Sequence, residues 1–266
     1  MPAWHPAPSQ SAEWEVARRT ADTPTATAAP ASPGRLDYYL VYASPVASGN
    51  SAVPEGILVE EFILADDYSA AGLVSVGWSS QDRRWRASSD TSRRIRTDAL
   101  LRRRVVPVAR QTAEVFHRGL AGEDLPDEAV LSAYCRVGAT MSMPAPLRLS
   151  AARVTTGFHE TRLYRILFAN ELNPGALANL RAVWRMTITG DPADPHVRVL
   201  GTAGRRIGGD AFSWDLRRLG AMDAWCVDLT VDLADSRDEA VGPLLRELTT
   251  TMRAQGLIPV TIDRFS

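Results

Sequence analysis

The chain has 266 residues, a hydrophobic fraction of 45% and a formal net charge of −1, and all 30 of its Lys+Arg residues are arginine. A nearly neutral chain has no overall field that would attract nucleic acid or an anionic membrane. The absence of lysine excludes Schiff-base catalysis and any phosphate-binding loop that depends on a lysine. Arginine instead favours forked contacts with carboxylates and phosphates.

The N-terminal region differs in composition from the rest of the chain. Residues 20–34, TADTPTATAAPASPG, are a low-complexity run with few side chains that could build a core. We therefore expect residues 1–34 to be a disordered or weakly ordered extension. The chain shows neither a signal-peptide pattern nor an apolar run long enough to cross a membrane, so we expect a cytoplasmic protein without a membrane partner.

Residues 35–150 are predicted to form a first α+β half. Three runs rich in β-forming residues, at 36–46, 56–65 and 72–80, are separated by turn-forming segments, which favours an antiparallel meander. Helical spacing follows at 110–120 and again after Pro126. Between the meander and these helices, Pro107 prevents residues 81–110 from forming one unbroken helix.

The segment 81–110 holds ten arginines, with Trp85 and Ile95 interleaved. Such a passage has some likeness to a groove for single-stranded nucleic acid, but its single aromatic residue cannot form a stacking platform. A nucleic-acid partner is therefore not expected. We expect these arginines to face the acidic surface of a protein partner or acids of the same chain.

Residues 151–266 are predicted to form a second α+β half. The order of elements is a strand at 159–172, a helix that Asn173 caps and Pro174 opens, short strands at 196–201 and 212–216, a strand at 224–233, a helix and a last strand at 257–265. Ser236 and Glu239 have capping-box spacing ahead of the second helix, and Pro243 either kinks that helix or marks its start. This order predicts a ferredoxin-like βαββαβ fold, with the helices on one face of the sheet.

Alternation along these strands separates an apolar face from a polar one. The residues expected in the core are Tyr164, Ile166, Phe168, Val197, Val199, Trp225, Val227, Leu229, Val231, Ile258, Val260 and Ile262. The residues expected on the opposite face are Arg165, His196, Arg198, Asp228, Thr230, Thr261 and Asp263. This polar face is either a substrate cleft roofed by the first half or an open surface of cross-strand ion pairs.

As a cleft, the polar face has the groups that acid/base chemistry requires. Asp228 would be the general base, with His196 or Asp263 returning the proton. Arg165 and Arg198 would bind the substrate, together with Thr230. A glycine-rich segment, GTAGRRIGGD at 201–210, adds Arg205 and Arg206 as a second candidate anion site, with a hairpin loop as the alternative.

No other motif indicates a metal or a cofactor. The histidines lack metal-binding spacing, and Cys135 and Cys226 form no CxxC pair, so we expect no metal, no cofactor and two reduced, buried thiols. Two functions remain open. The first is a cofactor-independent cyclase, isomerase or lyase of specialised metabolism, acting on a small anionic or polar molecule. The second is a non-catalytic accessory or inhibitor protein that binds a protein partner through its arginine-rich surface.

Overall fold

The computed structural model of the chain describes residues 35–45, 53–144, 154–191, 194, 196–220 and 224–266. The predicted N-terminal extension, residues 1–34, lies outside these ranges. The described residues form two antiparallel sheets and six helices, which confirms the α+β class. None of the described helices has the length and apolarity that a membrane crossing requires.

The first sheet contains the predicted meander. Its strands are β1 (Asp37–Val41), β2 (Gly56–Leu64), β3 (Ala70–Ser79), β4 (Arg84–Ala87), β5 (Val105–Val108) and the short β6 (Met141–Ser142). The order is β4-β3-β2-β1-β5, with β6 beside β3, and every pairing is antiparallel. Pro107 lies in the edge strand β5, a position where a missing N–H is tolerated.

Four helices belong to this half: α1 (Ser89–Thr97), α2 (Ala99–Arg102), α3 (Arg110–Ala121) and α4 (Glu128–Val137). The last two match the helices predicted after Pro107 and Pro126. They cover one face of the first sheet, where Phe116 and Leu131 pack against Tyr38, Ile57 and Val74. The opposite face packs against α1 and the second half.

The arginine-dense passage is largely occupied by contacts within the chain. Its ion pairs include Arg86 with Asp82, Arg94 with Asp98, Arg96 with Glu60, Arg104 with Glu55 and Arg110 with Glu114. The Arg83 guanidinium also donates to the carbonyl of Ala121. Acids of the same chain are thus partners of these arginines, which is one of the two alternatives expected from the sequence.

The second sheet has six strands. In chain order the elements are β7 (Glu160–Ala169), α5 (Pro174–Trp184), β8 (Thr187–Ile188), β9 (Val199–Ile207), β10 (Asp210–Arg218), β11 (Ala224–Leu233), α6 (Val241–Arg253) and β12 (Ile258–Arg264). The sheet order is β12-β7-β11-β10-β9-β8. The four-stranded ferredoxin-like detail is not confirmed, because β8 and β9 extend the sheet and β9 is longer than the predicted strand.

Both helices of the second half pack on one face of this sheet. The Asn173 side chain accepts the N–H of Ala176 at 2.8 Å, which is the predicted cap of α5. The shared core is built by alternating strand residues and one stripe of each helix. It includes Tyr164, Ile166, Phe168, Leu180, Trp184, Trp225, Val227, Leu229, Val231, Leu244, Leu245, Leu248 and Met252.

The predicted capping box of α6 is wrong. The helix begins at Val241, after Ser236 and Glu239, and no side chain caps it. Pro243 then lies in the first helical turn, where the backbone N–H has no intrahelical acceptor and its absence costs nothing. The helix therefore starts close to the proline, which was one of the two predicted alternatives.

Two irregularities in the ladders overturn parts of the predicted core. The register of β12 shifts between Pro259 and Thr261, so Ile258 and Ile262 enter two different cores while Val260 is only partly buried. A similar shift in the β9–β10 pairing places Val199 opposite Arg217, and Leu200 becomes the buried residue. A bulge adds one residue to a strand and so exchanges the faces beyond it.

The two halves are joined by polar contacts as well as by apolar ones. On α6, Arg253 donates to the carbonyl of Tyr38 at 2.8 Å and Arg246 donates to that of Leu36 at 3.0 Å. Arg96 donates from Nε to the carbonyl of Pro259 at 3.1 Å. The first half therefore packs against α6 and β12, on the helix side of the second sheet.

Candidate functional site

A row of charged side chains crosses the polar face of the second sheet. The strand register places Asp263 on β12 opposite Arg165 on β7, Arg165 opposite Asp228 on β11, and Asp228 opposite Asp215 on β10. Directly opposed residues in an antiparallel pair have their side chains on the same face and within about 5.5 Å at Cβ. The fold therefore assembles an acid–arginine–acid–acid row from four strands.

Asp228 is the centre of an ion-pair network. Arg165 donates to it in a fork, from Nε to Oδ1 at 2.6 Å and from an Nη to Oδ2 at 2.7 Å. Arg217 donates to the same Oδ2 at 3.0 Å. Two guanidinium groups thus compensate one carboxylate, a charge-assisted arrangement that fixes the position of all three side chains.

A cavity of about 440 Å³ lies over this network. Its lining consists of Leu163, Tyr164, Arg165, Ser213, Asp215, Arg217, Asp228, Leu229, Thr230 and Phe265. The Phe265 ring stacks on the Arg165 guanidinium with 5.3 Å between the ring centroid and Cζ, which holds that arginine from the side. The cavity is large enough for a small molecule.

The two acids at the ends of the row differ from Asp228 in their surroundings. Burial raises the pKa of Asp215 above its ordinary value; the Arg217 charge opposes this shift and the Asp228 charge adds to it. Burial likewise raises the pKa of Asp263, against the hydrogen bond from Thr261 and the charge of Arg165. A carboxyl group with a raised pKa holds its proton more readily and is suited to proton transfer.

The thiol beside this network is buried against Asp228. Cys226 lies on β11 with its Sγ 3.6 Å from Oδ1 of Asp228, and burial together with the Asp228 charge raises its thiol pKa to about 12. Cys135 is also buried, and both cysteines are free thiols, as predicted. A thiol that stays protonated near neutral pH contributes little thiolate.

The structure brings together part of the predicted site. Arg165, Asp228 and Thr230 line the cavity, and Asp263 stands opposite Arg165. His196 is instead exposed in a turn before β9, and Arg198 is exposed beside it, so neither lies on a strand as predicted. Neither of these residues lines the cavity.

The glycine-rich segment at 201–210 is mainly strand. β9 ends at Ile207, and Gly208, with φ of +61°, opens the tight turn into β10. Arg205 and Arg206 therefore lie on a strand and not in the turn where they were predicted. Arg205 points to the helix side, where it forms a bidentate pair with Glu247 of α6 at 3.0 and 2.6 Å. Arg206 stacks on Phe158 at 5.8 Å.

The predicted roof is also absent from the described residues. Every lining residue of the cavity belongs to the second half, and the first half packs on the other side of the sheet. Asp228 retains 22% side-chain exposure and Arg165 33%. The site is thus a shallow, partly desolvated pocket.

Three polar lining residues were not identified from the sequence. Ser213, Asp215 and Arg217 alternate with the buried Phe212, Trp214 and Leu216 along β10. The signal was present in the run FSWDLR, because the same alternation rule assigns these three side chains to the polar face. The register between β10 and β11, which sets Asp215 against Asp228, could not be obtained from the pattern alone.

The fold and the site define an α+β protein of two antiparallel sheets with a charged pocket on one sheet face. Within the described ranges, no group of three or more His, Cys, Asp or Glu side chains could hold a metal ion. Comparisons with protein-family models, curated proteins and solved structures found no match to this chain.

Proposed function

We propose that the protein is a cofactor-independent enzyme that uses the polar face of the second sheet for acid/base chemistry, as a cyclase, isomerase or lyase. The observation that carries this proposal is the direct opposition of Asp215 and Asp228 across β10 and β11. Burial raises the pKa of the first carboxyl group, whereas two guanidinium groups compensate the second. Neighbouring carboxyl groups in unequal environments can take different roles: here Asp215 exchanges a proton, and Asp228 with its two arginines sets the charge beside it.

The residues of the pocket divide into proton-transfer and positioning groups. Asp215 exchanges the proton with the substrate, and Asp263 is the second candidate for this role. Asp228 is a positioning residue, because its oxygens are already occupied by Arg165 and Arg217. The hydroxyl groups of Ser213 and Thr230, both in the lining, supply neutral hydrogen bonds to the substrate.

The charged row on the polar face favours one class of substrate over another. Three carboxyl groups stand beside two guanidinium groups, and both guanidinium groups are engaged with Asp228. A substrate carboxylate would have to displace Asp228 from its arginines. A small polar molecule without negative charge is therefore favoured over the anionic substrate that the arginines first suggested.

The two buried free thiols are consistent with a reducing cytoplasm.

NMR with a panel of small polar, basic and acidic molecules, recorded both on the ligand signals and on the backbone amide signals of the protein, tests this proposal. We expect polar or basic members to bind, to shift the amide signals of residues 213–217 and 228–230, and to be converted over time. Asp215→Asn should retain the binding and lose the conversion, while Asp82→Asn on the exposed surface should retain both. Binding of no member, or conversion that survives Asp215→Asn, would contradict the proposal; the former result would favour the accessory-protein alternative.

A further inference from the structure

A cavity between the two halves is separate from the polar face. It measures about 730 Å³ and lies where the end of β2 faces the first turns of α6. Its lining is Arg35, Glu61, Phe62, Ile63, Leu64, Tyr68, Arg136, Gly242, Pro243, Leu245, Arg246, Thr249 and Ile262. This volume is in the range that holds a drug-sized molecule.

One wall of the cavity is held in a defined shape by Tyr68. This residue has a φ of +64°, and its hydroxyl donates to Oδ1 of Asp238 at 3.1 Å. Its ring lies so close to Gly242 that a Cβ there would be 2.8 Å from a ring atom. The turn between β2 and β3 is thereby fixed against the start of α6, and the wall is preorganised.

At the opposite end of the cavity, arginine side chains surround a buried acid. Glu61 is 2% exposed, and it accepts hydrogen bonds from the Ser132 hydroxyl at 2.6 Å and from Arg136 at 3.4 Å. Arg35 forms an ion pair with it at 3.0 Å. The side chains of these arginines are 77% and 55% exposed, so each presents N–H donors beyond those used by Glu61.

A third arginine adds to this positive end. Arg246 lines the cavity and pairs with the buried Asp37 at 2.8 Å, while Arg253 reaches the same carboxylate oxygen at 3.1 Å. Four guanidinium groups thus surround two buried carboxylates, which leaves a local excess of positive charge. The remaining lining is mainly aliphatic and aromatic.

From this combination we infer a ligand site for an amphipathic anion, a molecule with an apolar chain or ring system and one carboxylate. The apolar part occupies the space between Phe62, Ile63 and Leu245, and the carboxylate meets Arg35 and Arg136. Forked guanidinium donors suit a carboxylate. Burial of the ligand's apolar part against the apolar wall favours binding. The site does not depend on the proposed catalysis, because it lies on the helix side of the second sheet.

Fluorescence titration with 11-(dansylamino)undecanoate, followed by displacement with dodecanoate, tests the inference on the full chain. We expect saturable binding that dodecanoate displaces, that dodecanol displaces at least tenfold less well and that acetate does not displace. Failure of dodecanoate to displace the probe, or equal displacement by dodecanol, would overturn the inference.

Variants locate the site. Arg136→Gln should weaken binding about tenfold, since it removes a charge-assisted contact, whereas Arg181→Gln, an exposed arginine on α5, should leave it unchanged. Ile63→Trp should weaken binding by taking part of the space assigned to the apolar chain, with the circular dichroism spectrum checked for retained fold. Equal binding by Arg136→Gln and Arg181→Gln, or full binding by a folded Ile63→Trp, would overturn the inference. The amide signals of residues 213–217 report the catalytic proposal independently.

Discussion

Arg165 and Asp228 face each other across β7 and β11 and form a forked ion pair, with nitrogen–oxygen distances of 2.6 and 2.7 Å. The pair is the fixed centre of the polar face. Asp263 and Asp215 flank it on either side, and Arg217 joins it from β10.

The coupling between these two residues is measurable. A double-mutant cycle with Arg165→Met and Asp228→Asn should give a coupling free energy of about 1 kcal/mol, because the fork is partly desolvated and shares Asp228 with Arg217. The more exposed pair Arg205–Glu247 is the matched control, with an expected coupling of about 0.5 kcal/mol or less. Urea unfolding at pH 7 measures both. Equal couplings in the two pairs would show that the network adds nothing.

Asp215→Asn should stabilise the protein at pH 7 while it removes the proposed activity. The folded state raises the pKa of Asp215, so it binds the proton more tightly than the unfolded chain does, and the ionised form is penalised at neutral pH. We expect a gain of about 0.2–1 kcal/mol at pH 7, typical of removing one of two opposed like charges. The gain should disappear below about pH 3.9, where both states hold the proton.

Urea unfolding of Asp215→Asn and of Asp82→Asn across this pH range checks the expectation. Asp82 forms an exposed pair with Arg86, so its substitution should give no gain at pH 7. A destabilised Asp215→Asn at pH 7 would mean that the carboxylate is favoured where it lies.

Arg96 neutralises a fully buried acid. It donates two hydrogen bonds of 2.8 Å to Glu60, which has 0% exposure. Arg96→Met should therefore cost about 3–5 kcal/mol, because Glu60 keeps a buried charge without its partner. The double variant Glu60→Met/Arg96→Met should recover most of this loss, since replacing both ions by apolar groups is often nearly neutral.

Thermal and urea unfolding measure these losses. Arg94→Met is the matched control on the same helix: its pair with Asp98 is more than one-third exposed on both sides, so we expect a loss of at most about 1 kcal/mol. If Arg96→Met lost no more stability than Arg94→Met, the buried pair would not have the role assigned to it.

His117 should make stability depend on pH. Its ring is fully buried against Trp78 and Trp85, with centroid distances of 5.0 and 5.7 Å, and burial lowers its pKa. Since the folded state disfavours the proton, the unfolded chain binds more protons as the pH falls through about 6.5. Stability is thus retained above that pH and lost progressively below it.

The free energy of unfolding at pH 7.5 and 5.5 tests this expectation. The loss between the two values should be smaller in His117→Gln than in the unmodified chain. An unchanged loss in His117→Gln would assign the pH dependence to other groups.

The alternation of apolar and polar residues, together with the signals for helix ends, was sufficient to predict much of the fold. The cap of Asn173, the meander and the inward faces of β7 and β11 follow from local rules that the structure obeys. These features depend on neighbours within a few positions of the chain.

The parts that could not be predicted depend on contacts between distant residues. The shifts in β9 and β12 arise where a strand meets a neighbour, and no local pattern signals them. The placement of the first half against α6, and with it the missing roof over Asp228, is a property of tertiary packing. The alternation of β10 was sufficient to place Asp215 on the polar face. Its position opposite Asp228 could be known only from the register between β10 and β11.

The register shift in β12 has a consequence for how the molecule unfolds. Because of it, one seven-residue strand places Ile258 in a core with Tyr39 and Leu58 of the first sheet, and Ile262 in the core of the second. Loss of this strand would open both cores together. The two halves should therefore melt in one cooperative transition, although each has a sheet of its own.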